Sequence, residues 1–319
     1  MQEWREGWHP EKINVKGASS NVLVARAGPA VLEATKALVE RGYEVVLAEV
    51  GSVLRGLVAR ERHLPGLSAW GSMIDYSEFH TKQTPDLDVC IDIALDADAI
   101  LEFGFQDVCL ATGLEWHRDE VSRQYFVPMP ISESAKVFTP DDDMVGLRPS
   151  GHVIIYDFDH YFMGGVLAEL LLNERSKVTF VTPAAYISDW TVNTLEEHVI
   201  HRRLAGLDVK IVLSSGVVEI AEDHVISNFV FIDKTEWLAC DAVLTLASKM
   251  ENNDLYLDLR ARKVELASIN SVKLIGDANA PGPIAWATYA GHRYARELDE
   301  PDLDDVLPIR REFTELAID

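Results

Sequence analysis

Short apolar runs alternate with helix-periodic stretches along most of the chain, and one such unit occurs twice. In the first copy, an apolar run over 21–25 is followed by a turn at Gly28 and Pro29 and then by a helical stretch. Gly42 stands where this helix would stop, and a second apolar run covers 44–48. The pattern predicts a strand, a helix and a second strand.

The second copy of the unit spans 152–182. A strand is predicted over 152–156, a helix over 161–173 and a further strand over 177–181. Short apolar strands that alternate with helices of this length are typical of parallel sheets with helices on both faces. The chain is therefore predicted to be an α/β protein.

The remaining elements indicate how the two units are joined. Further strands are predicted over 108–111 and 273–275, and a helix is predicted from about 285 to 296. Between the second unit and these last elements, residues 209–247 alternate in short β-prone runs that are typical of a meander. This order predicts that one domain is inserted into another.

The predicted boundaries follow from that order. The first domain is predicted to comprise 21–148 and 264–319, and the inserted second domain 149–263. Residues 1–20 are predicted to form an N-terminal docking segment.

Charge excludes several classes of partner. The 319 residues include 52 acidic and 29 basic side chains, which give a formal net charge of -23. This charge repels nucleic acid and anionic lipid, so neither is expected as a partner. Acidic residues near the C-terminus are typical of a solvated face. They are Glu297, Asp299, Glu300, Asp302, Asp304 and Asp305.

Cysteine usage and hydropathy predict a cytoplasmic protein. Cys90, Cys109 and Cys240 are widely spaced, so they encode neither a disulfide framework nor a zinc or iron–sulfur site. No apolar run approaches the ~20 residues of a membrane helix, and the N-terminus is too polar for a signal peptide.

No metal site is expected either. His198 and His201 lie three residues apart beside Glu197, but a third ligand is not apparent in the sequence. Charged and histidine side chains on a solvated helix face account for this pattern.

The turn in the first unit has the shape of a dinucleotide-binding turn with its glycines replaced. In the G-x-G-x-x-G register, Arg26 occupies the first position, Gly28 the second and Val31 the third. Arg26 is expected to adopt an uncommon backbone geometry, and Val31 adds bulk where helix and strand meet.

Other features of a nucleotide site are retained. Glu49 ends the second strand, 21 residues after Gly28, where an acid accepts hydrogen bonds from an adenosine ribose. It occurs together with Thr112-Gly113 and with Gly276-Asp277, each at the end of a predicted strand. The residues leave two alternatives open, a bound adenine nucleotide and a retained fold with an empty site.

The turn of the second unit predicts that NAD does not bind. Asp157, Asp159 and Phe162 stand where glycines would be needed. Two carboxylates at ~5 Å from a diphosphate would each cost about 3 kcal/mol at an effective dielectric constant near 20. Asp159 is predicted to act as the N-cap of a helix that starts at His160 or Tyr161.

Several longer motifs resemble one protein family along nearly the whole chain. The chain resembles trimethylamine dehydrogenase and dienoyl-CoA reductase, which are iron–sulfur flavoproteins related to Old Yellow Enzyme. The motifs are EWREGWHPEK at 3–12, LPGL at 64–67, ATG at 111–113, DHYFM at 159–163, IGDANAP at 275–281 and GHRYARE at 291–297.

In that family, a TIM barrel with covalent FMN and a four-iron cluster precedes two Rossmann-like domains of the disulfide-reductase type, similar to FAD- and NAD-binding domains. The resemblance implies that this chain consists of those two domains, the second inserted into the first. It also implies that the first domain holds ADP, as in the amine dehydrogenase branch, or FAD, as in the dienoyl-CoA reductase branch. The implied cofactor-binding residues are Gly28, Ala30, Glu49, Gly113 and Asp277.

The resemblance also implies that the catalytic chemistry lies on another polypeptide. DHYFM favours the amine dehydrogenase branch, and neither barrel nor cluster cysteines occur in this sequence. A non-catalytic module is therefore expected, with a TIM-barrel FMN and iron–sulfur subunit as its partner. Trp4, Trp8 and His9 are expected to dock on that partner rather than to pack on their own domain.

Two other interpretations remain open. One is an autonomous FAD-dependent NAD(P)H oxidoreductase, and the other is an empty scaffold subunit. Whether the chain is a natural subunit or a fragment also stays open.

Overall fold

The computed structural model describes residues 13–300 except 18–19, 55, 85–86, 120, 123–125 and 263–268. Trp4, Trp8 and His9 of the predicted docking segment lie outside the described residues. The chain forms two parallel sheets, a three-stranded antiparallel sheet and a two-stranded antiparallel ribbon.

The elements follow one another in three stretches. The first stretch contains β1 Asn21–Ala25, α1 Pro29–Glu40, β2 Glu44–Ala48, α2 Val58–Glu61, a 3₁₀ helix Ser68–Trp70, α3 Gly71–Gln83, β3 Leu87–Cys90, α4 Ala97–Phe103, β4 Asp107–Leu110 and β5 Leu114–Trp116. The second contains β6 Val137–Phe138, α5 Pro140–Met144, β7 His152–Asp157, α6 Phe162–Asn173, β8 Lys177–Val181, a 3₁₀ helix Asp189–Val192, α7 Glu197–Gly206, β9 Lys210–Val212, β10 Ser215–Ile220, β11 His224–Phe229, β12 Thr235–Ala239 and β13 Ala242–Leu246. The third contains β14 Lys249–Glu251, α8 Asp254–Ala261, β15 Ser271–Leu274, a 3₁₀ helix Gly276–Ala278 and α9 Ile284–Glu297.

Each predicted unit contributes to one parallel sheet. The first sheet has the strand order β15-β4-β1-β2-β3, and the second has the order β6-β13-β7-β8-β9. Every pairing within these two sheets is parallel. The α/β prediction is therefore confirmed, and the predicted strands over 21–25, 44–48 and 177–181 have the observed bounds.

The predicted meander is only part of its stretch. β10, β11 and β12 pair antiparallel in sequence order, as expected. The flanking strands β9 and β13 instead join the second parallel sheet. All five side chains of β13 are buried, which is what a central parallel strand requires.

The chain passes between the two sheets at the ribbon of β5 and β14, which pair antiparallel. Strand β6 lies in the second sheet, and the buried Leu259 of α8 packs in the core of the first. The chain therefore passes from the first sheet to the second between β5 and β6, before the predicted boundary at 148. It returns between β14 and α8, before the predicted boundary at 263. The division into independently folding domains stays a prediction.

Helix α1 is the centre of the first core. It packs against β1, β2, α3 and α9, and seven of its side chains are buried. Helix α9 approaches α1 so closely that a Cβ at Gly291 would lie 2.0 Å from the carbonyl oxygen of Ala30. Only glycine permits this approach, so Gly291 fixes where α9 crosses α1.

Arg41, directly after α1, connects both ends of the described chain to this helix. Its buried guanidinium donates to the carbonyl oxygen of Ala295 at 2.5 Å and to that of Asn14 at 2.9 Å. It also forms a bidentate pair with Asp299 at 2.6 and 2.8 Å. The prediction of a solvated acidic face is therefore wrong for Asp299, whose side chain is 11% exposed.

The surroundings of Asp299 also determine its ionisation. Burial by itself would raise the pKa of the Asp299 carboxyl. The hydrogen bonds from Arg41 and from the Gly17 amide outweigh burial and hold this pKa below its usual value. The folded protein therefore favours the ionised carboxylate.

Substitution of Arg41 by Met is expected to lower the free energy of unfolding by about 3–5 kcal/mol, because it leaves Asp299 buried without its cation. Urea denaturation measures this change. Arg293→Met is the matched control, since Arg293 forms an exposed pair with Glu297 on α9. The control is expected to change the stability by about 0.5 kcal/mol or less. Equal effects of the two substitutions would contradict a structural role of the Arg41 pair.

The Arg41 pair is also expected to weaken in acid. Because the folded-state pKa of Asp299 lies below the unfolded value of about 3.9, its contribution is fully present above that value and is lost as the pH falls through the folded-state pKa. The stability advantage over Asp299→Asn should thus be constant above about pH 5 and shrink towards pH 3. Urea denaturation at a series of pH values measures it, and an advantage that grows on acidification would refute the assignment.

Candidate functional site

The predicted site residues come together at the carboxyl edge of the first sheet. Glu49 follows β2, Gly28 follows β1, Gly113 follows β4 and Asp277 follows β15, in the order in which these strands lie side by side. These four residues and Ala30 line one cleft with a cavity volume of about 300 Å³. Carboxyl ends of parallel strands are where α/β proteins bind ligands.

The turn after β1 keeps the backbone open to the cleft. Arg26 has a φ of 81°, so the expected uncommon geometry is confirmed. Gly28 has an ordinary φ of -77°, and a Cβ there would meet no protein atom within 4 Å. Neither backbone strain nor protein packing therefore requires glycine at position 28. The missing side chain leaves room for a ligand beside the backbone.

A neighbouring loop holds this turn in place. Gly56 has a φ of 58°, and a Cβ on it would lie 2.7 Å from the Cα of Gly28. Only glycine fits between the loop and the turn. The sequence analysis missed Gly56 because its role comes from a contact between distant segments.

The start of α1 suits an anion. Pro29 is the first helical residue, no side chain caps the helix, and the first turn contains no acidic residue. The amide groups of the first turn therefore point towards the cleft without a side-chain acceptor, at the positive end of a 12-residue helix. Val31 is fully buried in the first core, so its side chain packs on the side of α1 away from the cleft.

Glu49 lies at one end of the cleft. Its side chain is buried, and one carboxylate oxygen accepts the amide proton of Gly51 at 2.7 Å. That bond orients the carboxylate at the end of β2.

Asp277 and Gly113 lie at the other end of the cleft. Burial raises the pKa of Asp277, although the Gly282 amide donates to its carboxylate at 3.1 Å and Lys249 also favours the ionised form. Gly113 is connected to the segment after β14, because the Asn252 amide donates to the Gly113 carbonyl oxygen at 3.0 Å. This end of the cleft is therefore next to the ribbon.

An ion pair that the sequence analysis missed forms the inner wall of the cleft. Lys249, the first residue of β14, lies with its Nζ 2.8 Å from Asp159 Oδ1 and 4.6 Å from the centre of the Trp116 ring. Nearby, Trp70 and Phe162 meet edge to face with ring centres 5.7 Å apart. The wall thus joins the second turn to the ribbon.

Glu61 is a second residue that the pattern did not single out. It ends α2, lines the cleft and is 9% exposed. Burial raises the pKa of its carboxyl to about 7, against the opposing effect of Lys249. No signal in the sequence marks Glu61, because the charged groups that act on it include Lys249 and Asp277, which are distant in sequence.

The second turn differs from its prediction in two ways. The prediction that Asp159 is an N-cap is wrong: α6 begins at Phe162 after Tyr161, and Asp159 pairs with Lys249. Asp157, fully buried, accepts the His160 amide at 3.0 Å instead. Burial, reinforced by Asp159, raises the pKa of Asp157 to about 8. Burial therefore favours the protonated form of Asp157, contrary to the two full carboxylate charges that were assumed.

The chain itself covers the second turn. The Trp190 amide donates to the carbonyl oxygen of His160 at 2.9 Å, and the Trp190 ring meets Tyr161 edge to face with centres 4.9 Å apart. Trp190 belongs to the 3₁₀ helix that follows β8. The position next to the start of α6 is thus occupied by the protein's own side chain.

Metal-binding clusters and membrane-spanning helices are both absent from the described residues. Within the described ranges, no group of three or more His, Cys, Asp or Glu side chains is arranged to hold a metal ion. In the same part of the chain, no helix is long and apolar enough to cross a bilayer.

Comparison with known proteins gives relatives but no matching family model. Dimethylamine dehydrogenase of Hyphomicrobium sp. (strain x) is 31% identical over 339 residues, covering 98% of this chain and 46% of the relative. Histamine dehydrogenase from Rhizobium sp. 4-9 is 53% identical with a TM-score of 0.92, covering 99% of this chain and 47% of that one. The 6-hydroxypseudooxynicotine amine oxidase of Pseudomonas geniculata N1 is 35% identical with a TM-score of 0.87, covering 93% and 45%.

The chain spans about half the length of these relatives. Solved disulfide-reductase-type flavoproteins and thioredoxin reductases are 13 to 16% identical with TM-scores of 0.54 to 0.58, which shows the fold alone. The predicted fold class, two Rossmann-like domains of the disulfide-reductase type, is thereby confirmed. The predicted resemblance to the trimethylamine dehydrogenase and dienoyl-CoA reductase family is thereby confirmed over the half of these relatives that the chain spans.

Proposed function

We propose that this chain is a non-catalytic, nucleotide-binding module of an iron–sulfur flavoprotein amine dehydrogenase. One observation carries the proposal: a chain similar to half of two amine dehydrogenases places Gly28, Ala30, Glu49, Gly113 and Asp277 around one cleft. The ligand we assign to this cleft is ADP or FAD.

The cleft residues fit an adenine nucleotide. The oriented carboxylate of Glu49 accepts the ribose hydroxyl groups, and the uncapped start of α1 receives the diphosphate above the open side of Gly28. Arg26 lines the same cleft and adds a positive charge near the phosphates. If the ligand is ADP, its role is structural only. If the ligand is FAD, it would also supply electron transfer.

NAD is not assigned to the second domain. The Asp159 carboxylate and the Trp190 contact occupy the turn in which a dinucleotide would place its diphosphate. The exclusion is mainly steric, because burial favours the protonated form of Asp157 and so reduces the charge of the turn. It weighs against an autonomous NAD(P)H oxidoreductase.

The reaction centre is assigned to a TIM-barrel partner that carries FMN and the iron–sulfur cluster. The relatives are about twice as long as this chain, and the amine-directed activities in their names belong to those whole proteins. A cytoplasmic location fits the cysteines, of which Cys109 and Cys240 are buried and none is paired.

Substitution of Glu49 by Ala is expected to weaken ADP binding about tenfold to hundredfold, because a hydrogen bond to a charged group contributes about 1.5–3 kcal/mol. Titration calorimetry measures the affinity, and acid extraction with chromatography identifies any nucleotide that copurifies. Glu44→Ala is the matched control, since Glu44 is exposed at the opposite end of β2. A protein that neither contains nor binds ADP or FAD would be an empty scaffold, and binding of NADH would overturn the assignment of the second turn.

The purified chain is expected to oxidise no amine by itself and to copurify with a barrel-type flavoprotein from its native source. Native mass spectrometry with an amine-dependent dye-reduction assay tests both points. The reason is that the proposal assigns the reaction centre to the partner polypeptide. A lone chain that oxidises an amine would refute the proposal.

A further inference from the structure

We infer that Lys249, held between Trp116 and Asp159, closes the far end of the cleft and selects ADP over FAD. The inference rests on the proposed function, because it concerns the ligand of the same cleft. It assigns a specificity-determining role to an ion pair that lies outside the nucleotide-binding turn.

The order of the strands indicates the direction in which a nucleotide would lie in the cleft. With the ribose at Glu49 after β2 and the diphosphate at Gly28 after β1, the next strand ends are those of β4 and β15. FAD continues beyond its diphosphate with a sugar-alcohol chain and a three-ring system. That part of the molecule would have to pass Gly113 and Asp277, whereas ADP ends before them.

Lys249 stands at this far end. The ribbon places β14 beside β5, which starts directly after Gly113, and the Asn252 amide donates to the Gly113 carbonyl oxygen. From β14 the Lys249 side chain reaches across the Trp116 ring to Asp159 and lines the cleft. Its side chain is 23% exposed and that of Asp159 is 16% exposed, so the pair forms a largely buried wall.

Moving this wall is costly. A ligand that displaces Lys249 removes a cation from the face of Trp116, which costs about 0.5–2 kcal/mol. It also leaves Asp159 buried without its counter-ion, and it removes the cation that most favours ionisation of Glu61. Arg60, the other cation at this end, pairs with Asp141 at 3.7 Å.

Titration of the full chain with ADP and with FAD tests the inference. The unaltered protein is expected to bind ADP at least about tenfold more tightly than FAD, the discrimination that one pocket group typically provides. Lys249→Ala combined with Asp159→Ala removes the wall without leaving a lone buried charge. This double variant is expected to gain about tenfold in FAD affinity with little change for ADP.

Two single variants complete the design. Lys249→Met keeps a long side chain but loses the charge that holds it to Trp116 and Asp159, so it is expected to lose part of the preference for ADP. Lys177→Ala, at an exposed position at the start of β8, should change neither affinity.

The outcomes separate the two proposals. Equal affinities of the unaltered protein for ADP and FAD, or an unchanged preference in the folded double variant, would overturn the role of Lys249 while leaving the proposed function intact. The first of these measurements requires no variant, so misfolding of the double variant leaves the inference falsifiable. Failure of the unaltered protein to bind either nucleotide would overturn the proposed function as well.

Discussion

The pairing of β5 with β14 is the constraint on which the cleft depends. This short antiparallel ribbon carries the chain from the first parallel sheet to the second and back. It places Gly113 just before one strand and Lys249 at the start of the other. Because Gly113 follows β4 at the carboxyl edge of the first sheet, the ribbon places Lys249 and its partner Asp159 against that end of the cleft.

The two Rossmann-like turns both lack glycines of the G-x-G-x-x-G motif, but they differ in backbone conformation and in their polar groups. The first turn tolerates a positive φ at Arg26 and keeps an uncapped helix start beside Gly28. Its electrostatic field still favours an anion. The second turn contains Asp157 and Asp159: Oδ1 of Asp157 accepts the His160 amide and Oδ1 of Asp159 accepts from Lys249, whereas both Oδ2 atoms are buried without a hydrogen-bond partner among the described residues. Acidic side chains at this position provide no attraction for a diphosphate.

The errors of the sequence analysis share one cause. Asp159 has the spacing of a helix cap, and Asp299 lies in an acidic run, so local rules predict a cap and a solvated face. In both cases a cation from a distant segment determines the outcome: Lys249 lies 90 residues from Asp159, and Arg41 lies 258 residues from Asp299. Local propensity cannot anticipate such a pair, because the partner cation lies in a segment distant in sequence.

The sequence by itself determined the two strand–helix–strand units and their parallel sheets, and its resemblance to a known family indicated the five residues that line the cleft. These features are readable because periodic apolar patterns specify strands and helices, and because parallel strands bring their carboxyl ends to one edge. Only the tertiary structure decided which groups close that cleft and which carboxyls ionise. Lys249, Glu61 and Trp190 occupy their positions through contacts between segments far apart in the chain. Burial, rather than residue type, raises the pKa of the Glu61 carboxyl.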